Sequence, residues 1–225
     1  MQAVVFDLDG VLIDSERVWD RARRELVAET GGSWSARATE EMLGMSSGEW
    51  SRFVHDRLGV ALEPAEINDH VVQRVLASYE RELPLLPGAV AAVRRTAAVW
   101  PLGLASSANR SVIDAVLASS GLDGCFKATV SGEEVAHGKP APDVYLAVTD
   151  KLGVDPRRSA AVEDSANGLR AAAAAGMAVI AVPNREFPPG EEALGLADLE
   201  IESLEQLTAA AIARVAVRMP PGDAS

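Results

Sequence analysis

Disulfide chemistry has no foothold in this chain. Its one cysteine, Cys125, has no partner to pair with, and its apolar neighbours mark it as a packing residue rather than a nucleophile. Lysine is nearly as scarce, with three residues (Lys127, Lys139, Lys151). The three histidines (His55, His70, His137) are scattered without the spacing of a zinc site, so surface or helix-end roles are expected of them. Positive charge is in deficit: Lys+Arg 21 against Asp+Glu 33 leaves a net charge of −12, and basic residues form no stripe and do not interleave with aromatics. Nucleic-acid binding is excluded on that basis. No apolar run approaches the ~20 residues that cross a bilayer. The N-terminus carries neither a basic segment nor the apolar stretch of a secretory leader, whose removal would also take Asp7. A cytoplasmic protein without a membrane partner is the expectation.

What the chain does have is Asp7-Leu8-Asp9-Gly10 at the end of the apolar run Ala3-Val4-Val5-Phe6. The run reads as a buried parallel strand, so two carboxylates leave its carboxyl end together, where open α/β sheets build their sites. Unpaired like charges in such a place are costly, and a divalent cation relieves that cost; Mg²⁺ binds through a few carboxylate oxygens plus phosphate. An isolated Asp-x-Asp is more simply a solvated acidic turn, but three further segments change the balance. Strand-like Leu102-Gly103-Leu104-Ala105 ends in Ser106-Ser107-Ala108-Asn109, where amides and a hydroxyl can hold phosphate oxygens. Gly138-Lys139-Pro140-Ala141-Pro142-Asp143 places one of the rare lysines just before a helix start. Ala160-Ala161-Val162 leads into Glu163-Asp164-Ser165-Ala166-Asn167-Gly168, acidic residues again at a strand end. Each alone has a structural explanation as a turn or cap; in this order, each at a strand end, they describe one site. Gly132 to Lys139 is not a phosphate-binding P-loop, because the spacing is one too long and Pro140 replaces the Ser/Thr.

From Pro87 onward strands and helices alternate. Strands are expected to end near Ser106, Ser131, Glu163 and Val182, and helices to start near Gly88, Asn109, Pro142 and Ser165. This pattern predicts a parallel sheet with right-handed crossovers. The alanine run from Ala171 to Ala175 reads as a close-packed helix ended by Gly176. Residues Glu16 to Leu86 break the pattern with helical stripes, Val18-Trp19-Ala22-Leu26 and Val71-Val75-Leu76-Tyr79, punctuated by Gly31-Gly32 and Gly59-Val60. Trp34 and Trp50 are expected to pack within this helical segment, and Trp19 to reach the mouth of the site. The last residues, Met219 to Ser225, read as a frayed tail.

The segments Phe6–Glu16, Leu104–Ser107, Gly138–Tyr145 and Val162–Gly168 together resemble the haloacid dehalogenase superfamily, in its sugar-phosphate phosphatase and β-phosphoglucomutase branch. The likeness extends over nearly the whole chain. It implies a doubly wound parallel-sheet α/β core, residues 1–14 and 87–225, with an inserted all-helical cap, residues 15–86, that closes over the site; hinges would fall near Asp14–Ser15 and Leu83–Pro87. It also implies a mechanism. Asp7 attacks phosphorus and forms an aspartyl-phosphate. Mg²⁺ is held by the Asp7 carboxylate, the Asp9 main-chain carbonyl and Asp164, with Glu163 as a further ligand or a support. Lys139, the Ser106 hydroxyl and the Ser107 amide neutralise the transferring oxygens, and Asp9 is the general acid and base.

Within the branch the resemblance is closest to bacterial hexitol and 2-deoxyglucose 6-phosphate phosphatases, through Leu12–Ala22 and Leu85–Gly88. The mutases instead carry a cap His where this chain has Trp19, and a phosphate-gripping Arg where it has Ser47. The cap has no lysine and is expected to lack the cations that a bisphosphate needs. Hydrolysis of small sugar or sugar-alcohol phosphates by a monomer is therefore expected, with a mutase as the alternative. A non-catalytic phospho-accepting or phosphosugar-binding module is the alternative of another class. Residues Leu43-Gly44-Met45-Ser46 and the Glu16–Trp19 turn are expected to set the substrate.

Overall fold

The computed structural model describes residues 1–42, 45–184 and 188–215. The expectations for Leu43, Gly44 and the Met219–Ser225 tail lie outside these residues. A six-stranded, all-parallel sheet is built from β1 (Val4–Phe6), β2 (Leu102–Ser106), β3 (Phe126–Ser131), β4 (Ala160–Glu163), β5 (Ala178–Ala181) and β6 (Leu199–Glu200), in the order β3-β2-β1-β4-β5-β6. The first strand is thus central: Val4, Val5 and Phe6 pair with Leu102, Gly103 and Leu104 on one side and with Ala160, Ala161 and Val162 on the other. The strand order reverses at β1, and the carboxyl ends of β1, β2 and β4 meet there, at the crevice where open α/β sheets bind ligands.

Helices cover both faces, and the alternation of side chains along each strand sorts the core in two. Val4, Phe6, Leu102, Leu104 and Val162 pack against α5 (Ala89–Ala97), α6 (Arg110–Ser120) and α10 (Ala209–Arg214). Val5, Ala105, Val130, Ala161 and Val179 face α7 (Asp143–Leu152), α8 (Ala166–Ala174) and the short α9 (Glu191–Leu194). The alanine run lies in α8, followed by Gly176 at φ 78°. Small residues there let the helix approach the sheet closely. Cys125 is half-buried at the edge of the first core. The two-residue edge strand β6 has no counterpart in the sequence reading.

Between β1 and α5 the chain forms α1 (Glu16–Glu29), α2 (Ala38–Met42), α3 (Ser47–Leu58) and α4 (Pro64–Arg81). Val71, Val75 and Tyr79 on α4 are buried with Trp19, Ala22 and Leu26 of α1, so the two apolar stripes meet. The chain leaves and re-enters the core side by side: Asp14 N–H donates to the Pro84 carbonyl (2.8 Å), Leu86 N–H donates to the Leu12 carbonyl (2.9 Å), and Ile13 and Leu85 form an antiparallel bridge. Among the described residues no helix is long and apolar enough to cross a membrane.

Candidate active site

The residues singled out in the sequence converge at the carboxyl end of the sheet. A cavity of about 530 Å³ opens there, lined from the core by Asp7, Asp9, Ser107, Lys139 and Asp164. Asp7 directly follows β1, and its amide is fixed by the Val162 carbonyl of β4 at 3.0 Å. Oxygens of Asp7, Glu163 and Asp164 lie within 4.8 Å of one another, all three side chains being buried. Two glycines make this crowding possible. At Gly10, φ is +74° and a Cβ would fall 1.8 Å from Asp164 Oδ2; at Gly168 a Cβ would fall 1.9 Å from Glu163 Oε2.

Lys139 is the ammonium among these carboxylates. Its Nζ donates to Glu163 Oε1 at 2.6 Å and to the Ala105 carbonyl at 3.0 Å, and forms an ion pair with Asp7 Oδ1 at 2.9 Å. Tyr145 donates its hydroxyl to the same Glu163 oxygen at 2.6 Å, while Glu163 Oε2 accepts from the Asp164 amide at 3.2 Å. Glu163 is fully buried and held from both ends, which pins Lys139 in place. Tyr145 is a site residue that the sequence reading missed. Its spacing from Lys139, across the first turn of α7, was the available signal.

Electrostatics follow burial. Asp7 is pushed up to about 8 by desolvation and by Glu163, with Lys139 pulling the other way. Burial likewise raises Asp9 and, with Glu163 and Asp7 adding to it, holds Asp164 well above the usual carboxylate range. Lys139 moves up despite its burial because Asp7 and Glu163 outweigh the desolvation. Ser106, fully buried, accepts from the Ala108 amide at 3.0 Å and donates to Asp9 Oδ2 at 3.3 Å. Asp7 Oδ1 and Asp9 Oδ1 are buried without a hydrogen-bond partner. A cluster with one ammonium, several crowded carboxylates and unsatisfied hard oxygens suits a small divalent cation such as Mg²⁺. The histidines take no part in it: His55 Nδ1 lies 2.9 Å from the Leu62 carbonyl and His137 pairs with Asp143 at 3.0 Å.

The helical segment supplies the opposite wall, including Glu16, Trp19, Arg23, Ser47 and Trp50. Trp19 lines the cavity as expected. Trp50, expected only to pack within the helices, lines it too, meeting Trp19 edge-on with ring centroids 6.1 Å apart. Arg23 corrects the expectation that this wall lacks a cation. It is 6% exposed, its guanidinium lies 5.6 Å from the Trp19 ring and 5.2 Å from the Trp50 ring, and its Nε and Nη1 are buried without hydrogen-bond partners. Each such donor left unpaired costs about 1–3 kcal/mol.

Residues 1–176 match the haloacid dehalogenase-like hydrolase family. Hexitol phosphatase B of Escherichia coli K12 is 38% identical over 217 residues, covering 92% of this chain and 94% of that protein. A crystal structure of CbbY from Rhodobacter sphaeroides in complex with phosphate is 31% identical, with a TM-score of 0.83, covering 95% of this chain and 99% of that one. A variant of that CbbY in complex with xylulose-(1,5)bisphosphate gives a TM-score of 0.83 at 30% identity, over 94% and 99% of the two chains.

Proposed function

The chain belongs to the haloacid dehalogenase-like hydrolase family, and we propose that it is a Mg²⁺-dependent phosphatase that hydrolyses small sugar or sugar-alcohol phosphates through an aspartyl-phosphate. The observation that carries this reading is the Asp7, Glu163, Asp164 cluster with Lys139 wedged into it, at the cavity between the sheet and the helical segment. Hexitol phosphatase B and the xylulose-(1,5)bisphosphate complex of CbbY support phosphate esters of sugars and sugar alcohols.

Asp7 is the nucleophile in this proposal. Burial and Glu163 raise its affinity for a proton, and a bound cation would favour its ionised form. Mg²⁺ would be held by Asp7, Asp164 and the Asp9 main-chain carbonyl, and would supply charge neutralisation for the attacking and transferring oxygens. Glu163, already saturated by Lys139, Tyr145 and the Asp164 amide, acts by fixing Lys139 against the transferring phosphoryl group. The Ser107 amide would contribute a further donor, while Ser106, donating to Asp9 Oδ2, would supply its hydroxyl to the phosphoryl oxygens only by turning from that carboxylate. Asp9, raised by burial, carries a proton to the leaving alcohol and then takes one from the water that hydrolyses the intermediate. Residues 15–86 act as a cap that excludes bulk water during the first step, and the enzyme acts as a monomer.

Phosphoryl transfer within a sugar, as in a mutase, gains support from Arg23, a cavity-lining cation on the cap side. Glu16 stands 3.8 Å from that guanidinium and would repel a second phosphate, so hydrolysis is the better reading. The test is phosphate release from a panel of sugar and sugar-alcohol monophosphates, with Mg²⁺ or with EDTA. A parallel incubation with β-glucose 1-phosphate and catalytic β-glucose 1,6-bisphosphate follows glucose 6-phosphate separately. Mg²⁺-dependent phosphate release supports the proposal; its absence, or glucose 6-phosphate forming much faster than phosphate, overturns it.

A further inference from the structure

The cap wall holds two opposite charges that almost touch and do not bond. Arg23 Nη1 and Glu16 Oε1 are 3.8 Å apart, beyond hydrogen-bond range, and both atoms are buried with no other partner. The guanidinium lies beside the Trp19 and Trp50 rings, 5.6 Å and 5.2 Å from their centroids. Desolvation without a hydrogen bond is an expensive way to build a structural ion pair. Both residues line the cavity that holds Asp7 and Asp9.

We propose that Glu16 and Arg23 together bind one hydroxyl of the substrate, remote from the phosphate ester, and so select polyhydroxylated phosphates. A hydroxyl oxygen placed between the two accepts from the guanidinium and donates to the carboxylate, closing the gap and satisfying both orphaned atoms at once. Neither an apolar group nor an anion does this. An apolar chain leaves both charges unpaired. A second phosphate or a carboxylate satisfies Arg23 but faces Glu16 with like charge. Arg23 is a specificity-determining residue in this reading, set by its neighbour to read a neutral polar group. The inference rests on the phosphatase assignment and narrows its substrate class.

The experiment measures kcat/KM with Mg²⁺ for sorbitol 6-phosphate, n-hexyl phosphate and fructose 1,6-bisphosphate. Wild type, Arg23→Met and Glu16→Gln are compared. Wild type is expected to favour sorbitol 6-phosphate over n-hexyl phosphate by at least ~10-fold, the range of a hydrogen bond to a charged group. Each variant is expected to bring that ratio to within ~3-fold. Glu16→Gln keeps the side-chain shape, so it decides the matter if Arg23→Met fails to fold. A ratio that survives in both variants, or equal losses on both substrates, overturns the proposal and leaves the pair a structural role. A wild-type preference for the bisphosphate that Arg23→Met abolishes overturns it in favour of anion recognition. Absence of Mg²⁺-dependent turnover on all three substrates in wild type instead overturns the phosphatase assignment itself.

Discussion

Asp7 and Asp9 leave the same strand, and each of them resists ionisation, but the surroundings fit them for different tasks. Asp7 is in contact with Lys139 and clusters with Asp164, whereas Asp9 Oδ2 accepts a hydrogen bond from Ser106 and lies outside the three-carboxylate cluster. Asp7→Asn is expected to lower kcat by ~10³-fold or more while the thermal melt stays cooperative, since an amide neither attacks phosphorus nor holds Mg²⁺ well. Turnover within a factor of ten of wild type, in a protein that melts normally, would exclude the covalent route. Asp9→Asn is expected to be almost as inactive yet to bind Mg²⁺ as wild type does, read by calorimetric titration. Asp164→Asn should lose that binding. Equal losses of metal affinity would put the Asp9 side chain on the cation and remove it from proton transfer. Asp7, Asp9, Glu163 and Asp164 were legible in the sequence because they end apolar runs, and Lys139 because it is a rare lysine set between Gly138 and Pro140 just before a helix start. Arg23 was not. It lies one helical turn after Trp19, the i,i+4 position on the same face, but an arginine on a charged helix reads as solvent-facing until tertiary packing buries it.

Asn109 caps the amino end of α6, but its side chain serves another purpose. Its Oδ1 accepts from Ser47 Oγ of α3 at 2.8 Å, and its Nδ2 donates to Asn68 of α4 at 3.3 Å and to Glu133 at 2.7 Å. A single core residue that is 4% exposed therefore ties two helices of the inserted segment to the sheet domain. The two contacts that cross between segment and sheet domain stabilise by roughly 0.5–1.5 kcal/mol each. Asn109→Ala should loosen the closed arrangement, raising KM by ~3–10-fold with a smaller change in kcat; a KM unchanged together with a normal melt would show that this bridge has no part in closure. Ser47 itself was noted in the sequence only as the absence of an arginine. Its partner is 62 residues away, and no local pattern encodes such a pairing. The strands and helices that were legible are those with a strong period or a punctuating glycine: α4 with its apolar stripe, α8 ending before Gly176, β2 and β4 ending in polar clusters. The edge strand β6 is two residues long with an exposed Glu200, so it carries neither an alternation nor an apolar run to read. Trp50 shows the same limit differently: a large aromatic on an amphipathic helix looks identical whether it faces a core or a cavity.

For the whole chain, a net charge of −12 favours the approach of Mg²⁺ and opposes that of a phosphate dianion, so local cations must do the final capture. The buried cluster extends that balance to stability. The Asp7 carboxyl is raised from 3.8 to about 8 on folding, and Asp9 and Asp164 move the same way, so the folded chain holds protons more tightly than the unfolded one. Without metal, the stability linked to these groups is full below the unfolded value of 3.8 and is lost as pH rises toward about 8. Mg²⁺ binding requires the same carboxylates to release their protons, and so restores stability most where they have the least hold on them. The melting temperature in EDTA should therefore fall between about pH 5 and about pH 8, and the upward shift on adding Mg²⁺ should grow over that window. Asp7→Asn should flatten both trends, because it removes the carboxyl whose upward shift on folding spans the window. A Mg²⁺-induced shift that is constant or shrinks as pH rises would mean that the acidic cluster is not where the cation binds, and the reaction proposed for it would have to be rebuilt around another site.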